Sequence, residues 1–225
     1  MASHLEFAYR EGISLMTADS VDELIKIAKY APKTEILLRI VTGGDPTSAV
    51  YHFDVKFGAD TATAEECFRT ARSLGLQISG VSFHIGSGSN DPNAFGRAVK
   101  NSKAVIELGR YFGHPMNILD VGGGFPGWSC NPYHPTTFAQ MAEALQKSLS
   151  EYGFSDGRHR IIAEPGRFFS TSAMTNITKV IAARIKTERD GSSRQHVFID
   201  QGVKGVDAFQ PQFGARPVTA QIELK

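Results

Sequence analysis

Apolar and polar positions along this chain fall into two alternating rhythms. Short, nearly continuous apolar runs predict strands at Ile13 to Thr17, Ile36 to Val41, Ile78 to Ile85, Asn117 to Val121 and Arg160 to Glu164. Between them lie stretches with apolar residues three and four apart, the spacing of one helix face. Val21, Leu24, Ile25 and Ala28 predict a helix over Val21 to Tyr30, with Asp19 or Ser20 as its cap. Ala64, Cys67, Phe68 and Ala71 line one side of a helix over Thr61 to Leu74. Asp91-Pro92 opens a long helix to about Phe112, and another runs from Pro135 to about Tyr152. Gly43-Gly44-Asp45-Pro46 reads as a loop.

Strands alternating with helices imply an α/β fold with a parallel sheet and right-handed crossovers. After Phe168 the rhythm changes. Ile177 to Thr187 and Gln195 to Asp200 are β-rich and flank the polar turn Arg189-Asp190-Gly191-Ser192-Ser193, which reads as a hairpin. The expected organisation is a partial TIM-like (β/α) barrel of about five units over residues 1–170, then the start of a β-domain and a tail over 171–225. An eight-stranded barrel takes about 250 residues, roughly 30 per unit. About three strands are therefore expected upstream, and the chain reads as a fragment of a longer protein, a reduced open sheet being the alternative. Two unpaired parallel edges predict marginal solubility.

Composition narrows the function classes. The 225 residues are 41% hydrophobic, enough for a sizeable core. Net charge is +1 and the pI about 7.8, with Lys and Arg scattered, so no field favours nucleic acid. Cys67 and Cys130 are the only cysteines and have no metal-ligand or CxxC spacing. Cys67 reads as a small core residue and Cys130 as a loop thiol. The start MASHLEFAYREG has no apolar leader core, and no run approaches a membrane span. These features predict a cytoplasmic protein without a metal site.

The candidate chemistry sits where strands end. Ile118, Leu119 and Val121 run into Gly122, Gly123 and Gly124, where the absence of Cβ atoms lets backbone N–H groups approach and wrap a phosphate. A plain turn is the alternative for these glycines alone. Val81 to Gly88 (VSFHIGSG) and Arg160 to Arg167 (RIIAEPGR) end in the same manner. Three such ends resemble one face of a parallel barrel, where active sites sit. His84, Gly123 and Glu164 are expected to converge on one ligand. Arg39, a charge inside the apolar run ILLRIVT, needs a partner or a polar cavity.

Four motifs in order carry a family resemblance: VKFGA (Val55 to Ala59), GVSFHIGSG (Gly80 to Gly88), LDVGGGFPG (Leu119 to Gly127) and AEPGRF (Ala163 to Phe168). Together they resemble the eukaryotic-type ornithine decarboxylases, fold-type III enzymes that depend on pyridoxal 5'-phosphate. The likeness runs from about Leu5 to about Gly205. It implies pyridoxal 5'-phosphate as cofactor, ornithine as substrate, putrescine as product and a role in polyamine synthesis. It implies Glu164 on the ring nitrogen and His84 against the ring face. Ser87, the Gly122, Gly123 and Gly124 amides, Gly166 and Arg167 would hold the phosphate, with Arg39 close to the cofactor. Lys56 matches a lysine associated with the subunit interface of a homodimer. The bland alternatives are a capping or salt-bridged Glu164, a structural His84, a turn Ser87, a solvated Arg167 and a surface Lys56.

The sequence also departs from the pattern. It contains no YAVKCN-like segment bearing the family's covalent lysine, no WGPTCDGLD-like segment and no YDH-like segment; Asp207 falls too early for the last. The cofactor cradle is thus present, while the covalent lysine and the substrate-selecting acids are missing, and the chain alone is expected to be inactive. Two other readings compete. One is an antizyme-inhibitor-like binding protein using Glu6 to Tyr30, with Arg10, Glu11, Lys26 and Lys29 as its charged face. The retained cofactor residues count against it. The other is a decarboxylase of the same fold acting on arginine, lysine or diaminopimelate.

Overall fold

Parallel strands joined by helices dominate the computed structural model, which describes residues 1–44, 49, 53–127, 136–170, 177–187 and 190–200. The order is α1 (Ala2–Arg10), β1 (Leu15–Ala18), α2 (Val21–Tyr30), β2 (Glu35–Arg39), α3 (Thr61–Ser73), β3 (Gln77–Ser82), α4 (Asn93–Tyr111), β4 (Ile118–Asp120), α5 (Phe138–Glu151), β5 (Arg160–Ile162) and α6 (Gly166–Ser170). An antiparallel hairpin follows, β6 (Val180–Thr187) and β7 (Ser193–Ile199). Asp45, Pro46, Cys130, Pro135, Arg189, Asp207 and the tail from 201 lie outside the described residues.

Local chemistry sets the helix starts. Ser20 caps α2 by accepting from the Glu23 N–H, and Asp60 caps α3 by accepting from the Thr63 N–H at 2.8 Å. Thr137 and Gln140 form a reciprocal capping box on α5. Helix α1 was not signalled by the apolar pattern: none of its residues is buried, so no face of it had to be apolar. Helix α6 begins immediately after Pro165, inside what the pattern reads as a turn.

Strands β1 to β5 pair in chain order, each parallel to the next. Right-handed crossovers then place the helices on one face, where consecutive helices α1 to α5 pack on each other in sequence. That is an arc of a (β/α) barrel. Side chains two apart share a face of a strand. Ile36, Leu38 and Ile40 meet Ile78, Val81, Leu119 and Val121 in one core cluster with Leu24, Ile27, Phe68, Phe95 and Ile106 from the helices. Cys67 is wholly buried in the same cluster, as expected.

The other face is built in rows. One row runs Leu37, Gly80, Ile118, Arg160 across four strands, and the next runs Arg39, Ser82, Asp120, Ile162. Gly80 is required by that close pairing, since a Cβ there would sit 2.0 Å from the Ile118 carbonyl oxygen. The second row, at the C-terminal ends of the strands, is where the sheet turns polar.

Candidate functional site

Two layers of side chains make the C-terminal rim. The lower layer is Arg39, Ser82 and Asp120, aligned by sheet register. The upper layer, His84, Gly122 and Glu164, lies two residues beyond Ser82, Asp120 and Ile162. Backbone bonds hold the layers together. The Phe83 N–H donates to the Asp120 carbonyl (3.1 Å), the Val121 N–H to Ile162 (2.8 Å) and the Glu164 N–H to Gly122 (2.8 Å). The strand ends therefore stay in step past the last regular ladder pair.

The glycine bend fills the space between them. Gly122 has φ +59°, and a Cβ there would lie 2.0 Å from the Phe83 carbonyl oxygen. A Cβ on Gly123 would meet His84 Nε2 at 2.7 Å and the Glu164 carbonyl oxygen at 3.0 Å. Only a residue without a side chain lets this backbone pass between the imidazole and the acid's segment. The structure thus brings His84, Gly123 and Glu164 to one place.

His84 is held as a neutral ring. Its Nδ1 accepts the Gly86 N–H at 3.0 Å, which leaves the hydrogen on Nε2. Burial, then the Arg39 and Arg167 cations, push its pKa down to about 4, while Asp54 pulls the other way. The Phe53 ring meets the imidazole edge-on at 4.8 Å. Two cations beside an uncharged ring make the local field positive, which suits a phosphate.

The acids lie at the rim's other side. Asp120 is 3% exposed. Its Oδ1 accepts the Gly122 N–H (2.9 Å) and its Oδ2 the Ser82 hydroxyl (3.2 Å). The Glu164 carboxyl lies close enough for the two acids to act on each other. Glu164 keeps exposed surface, yet its pKa is raised, by desolvation first and then by Asp120, with Arg39 opposing. Asp120 is raised by burial against the pull of its hydrogen bonds and Arg39. Sequence reasoning missed Asp120. The signal was available: a charged residue inside an apolar run, the same argument that singles out Arg39.

Arg39 lies with its guanidinium 4.9 Å from the Phe57 ring centre and 6.0 Å from that of Phe53. The turn bearing these rings is tied down by Asp54, which accepts from the Thr42 N–H (2.8 Å), the Thr42 hydroxyl (2.7 Å) and the Gly43 N–H (3.1 Å). Ser87 is half-buried in the loop after Gly86. Gly166 opens α6 with open space where a Cβ would be, and Arg167 follows it, close enough to act on His84. Lys56 is exposed, in the same turn as Phe57. Remote from the rim, Arg10 pairs with Glu11, Lys26 with Glu23, and Lys29 lies over Tyr30.

Residues 1–171 match the family described as pyridoxal-dependent decarboxylase, pyridoxal binding domain. The ornithine decarboxylase of Neurospora crassa is 41% identical over 191 residues, covering 85% of this chain and 37% of that enzyme. That of Rattus norvegicus is 36% identical over 212 residues, covering 90% of this chain and 45% of the enzyme. Among solved structures, the Paramecium bursaria Chlorella virus arginine decarboxylase superposes with a TM-score of 0.74 at 33% identity, over 83% of this chain and 48% of that one. The lysine/ornithine decarboxylase of Vibrio vulnificus, complexed with cadaverine, gives 0.74 at 26% identity, over 97% and 53%. The chain spans between 37% and 49% of the length of the curated relatives it matches.

Proposed function

We propose that this chain, which belongs to the pyridoxal-dependent decarboxylase family, is the cofactor-binding half of an enzyme that decarboxylates ornithine to putrescine. The observation that carries the reading is the passage of Gly123 between His84 and Glu164. Pyridoxal 5'-phosphate fits the donor set: the Arg167 cation and backbone amides for its phosphate, a carboxyl for its ring nitrogen and a neutral imidazole for its ring. When bound, the cofactor supplies an electron sink for the pair released as the substrate's Cα–carboxylate bond breaks.

Each residue's part follows from its setting. Ser87, the amides of Gly123, Gly124 and Gly166, and the Arg167 guanidinium bind phosphate oxygens, whereas the Gly122 N–H, expected to join them, is already given to Asp120. Glu164 binds the ring nitrogen. His84, kept neutral, lies against the ring without adding a charge. Arg39 holds the charge of the acid pair in check from below. We assign residues 1–170 to the barrel part and 171–225 to the start of a β-domain. The complete enzyme is a homodimer acting in the cytoplasm, with Lys56 facing its subunit boundary. In support, no helix among the described residues is long and apolar enough to cross a membrane, and Lys56 is exposed.

Ornithine is favoured over arginine or lysine by the names of the curated relatives, 36–41% identical. A docking role toward antizyme draws less support, since the charges that would serve it are paired locally. The test is titration of the purified chain with pyridoxal 5'-phosphate, followed by fluorescence quenching, beside a CO2-release assay with ornithine. We expect saturable cofactor binding, lost in Gly123→Val, and no CO2, because these 225 residues contain no YAVKCN-like lysine segment. Absence of cofactor binding by the parent chain would overturn the reading.

A further inference from the structure

One buried acid at this rim has no part in the reading above. Asp120 is buried beneath the rim, and both of its carboxylate oxygens accept hydrogen bonds. Two donors converge on it, the Ser82 hydroxyl and the Gly122 N–H, and the Glu164 carboxyl lies close enough for Asp120 to raise its pKa. Two carboxyl groups can hydrogen-bond only if one of them carries a proton. Arg39 acts on both acids, but the Ser82 and Gly122 donors stabilise charge on Asp120 alone, so the proton belongs on Glu164. Gly122 locks the pair geometrically, because its N–H goes to Asp120 while its carbonyl accepts the Glu164 N–H.

We propose that Asp120 is a positioning residue: held by Ser82 and Gly122, its carboxylate accepts the Glu164 carboxyl and keeps it protonated until a basic ring nitrogen arrives. The proton balance is simple. The Glu164 O–H bond breaks, an N–H bond forms on the ring, and Glu164 is left as a carboxylate beside the new cation. Asp120 stays anionic throughout, its charge offset by Arg39. The other charged groups at the rim act on His84 rather than on this pair: Arg167 from α6 and Asp54 from the turn after β2. The proposal rests on the cofactor reading for the identity of the base, but not for the existence of the pair.

The test separates the two. In the ligand-free chain labelled with 13C at the Glu side-chain carboxyl, the Glu164 resonance is followed against pH. Parent, Asp120→Asn and Ser82→Ala forms are compared, with Glu164→Gln identifying the signal. Asn keeps an acceptor oxygen for the Gly122 N–H and turns an NH2 toward the Ser82 hydroxyl, which can rotate to accept, but carries no negative charge. We expect the Glu164 midpoint to lie above that of the other glutamates in the parent and to move to lower pH in Asp120→Asn. Ser82→Ala removes one donor from Asp120, so the proton shifts toward Asp120 and the Glu164 midpoint again falls, which serves if Asp120→Asn does not fold. A second readout is the pH profile of pyridoxal 5'-phosphate affinity against that of an analogue with a benzene ring in place of the pyridine. Asp120→Asn should displace the first profile and leave the second in place. Glu164 midpoints equal in all forms would overturn the proposal, as would equal displacement with both ligands. If the parent binds neither ligand while the Glu164 midpoint still falls in Asp120→Asn, the pair stands and the cofactor reading fails.

Discussion

Strands β2 to β4 and the hairpin β6–β7 draw on the same apolar residues and treat them in opposite ways. In the sheet, Ile36, Leu38, Ile78 and Leu119 are wholly buried. In and beside the hairpin, Ile177 is 89% exposed and Ile185 75%, and every residue of β6 is exposed. The difference is not propensity, since both regions are β-branched and strand-forming. It is cover. The sheet has α1 to α5 laid along it in order, whereas among the described residues no helix is laid along the two-stranded ribbon. The β5 edge is intermediate, paired on one side only, with Ile161 38% exposed. Residue identity thus nominates a strand, and only its neighbours make it stable.

That contrast can be broken at several points. The largest effect is expected from Phe68→Ala, which empties a fully buried site: about 4 kcal/mol of stability lost, against less than about 0.5 for Phe198→Ala in the hairpin, both by urea denaturation. Equal losses would show that the hairpin has cover after all. Next is pH. His84 takes up its proton only near 4 when folded but at its usual 6.5 when unfolded, so between those values the unfolded chain binds more protons. Stability is therefore full above 6.5 and falls as pH is lowered toward 4, by at most about 3 kcal/mol, a slope that His84→Gln should flatten.

Smaller effects sharpen the comparison at the rim and the helices. Gly122→Ala forces a side chain into a left-handed conformation and against the Phe83 carbonyl; about 2 kcal/mol should be lost, with cofactor binding lost as well. Thr137→Ala removes the α5 capping box and should cost about 1 kcal/mol by thermal melting. Smallest in stability is Ile185→Lys, within about 0.5 kcal/mol, yet it should raise the concentration at which the chain stays dispersed by light scattering.

Much of the fold was legible in the sequence because period follows secondary structure directly. The spacing of Val21, Leu24 and Ala28 predicted the helix seen at Val21–Tyr30. The run Ile78 to Ile85 located β3, although its ladder ends at Ser82, where the chain leaves the sheet to carry His84 onto the rim. Helix α1 escaped because it buries no residue fully, Leu5 packing only partly against the core, and α6 because Pro165-Gly166 signals a turn whether or not a short helix follows. Among site residues, the glycine bend, His84 and Glu164 could be named because each ends an apolar run. Asp120 could not be ranked by its motif alone. Its meaning depends on Ser82, 38 residues earlier, and on Glu164 from the next strand.

The order of residues determined by itself where strands β1 to β5 and the helices between them form, that these strands run parallel, and which strand ends are polar. These are local properties of period, capping and crossover handedness. Tertiary structure decided which strand ends share a layer, that burial and two cations hold His84 neutral, and that Asp120 and Glu164 act on each other. Those outcomes depend on register and on distances of a few ångströms between segments far apart in the chain, which period cannot encode.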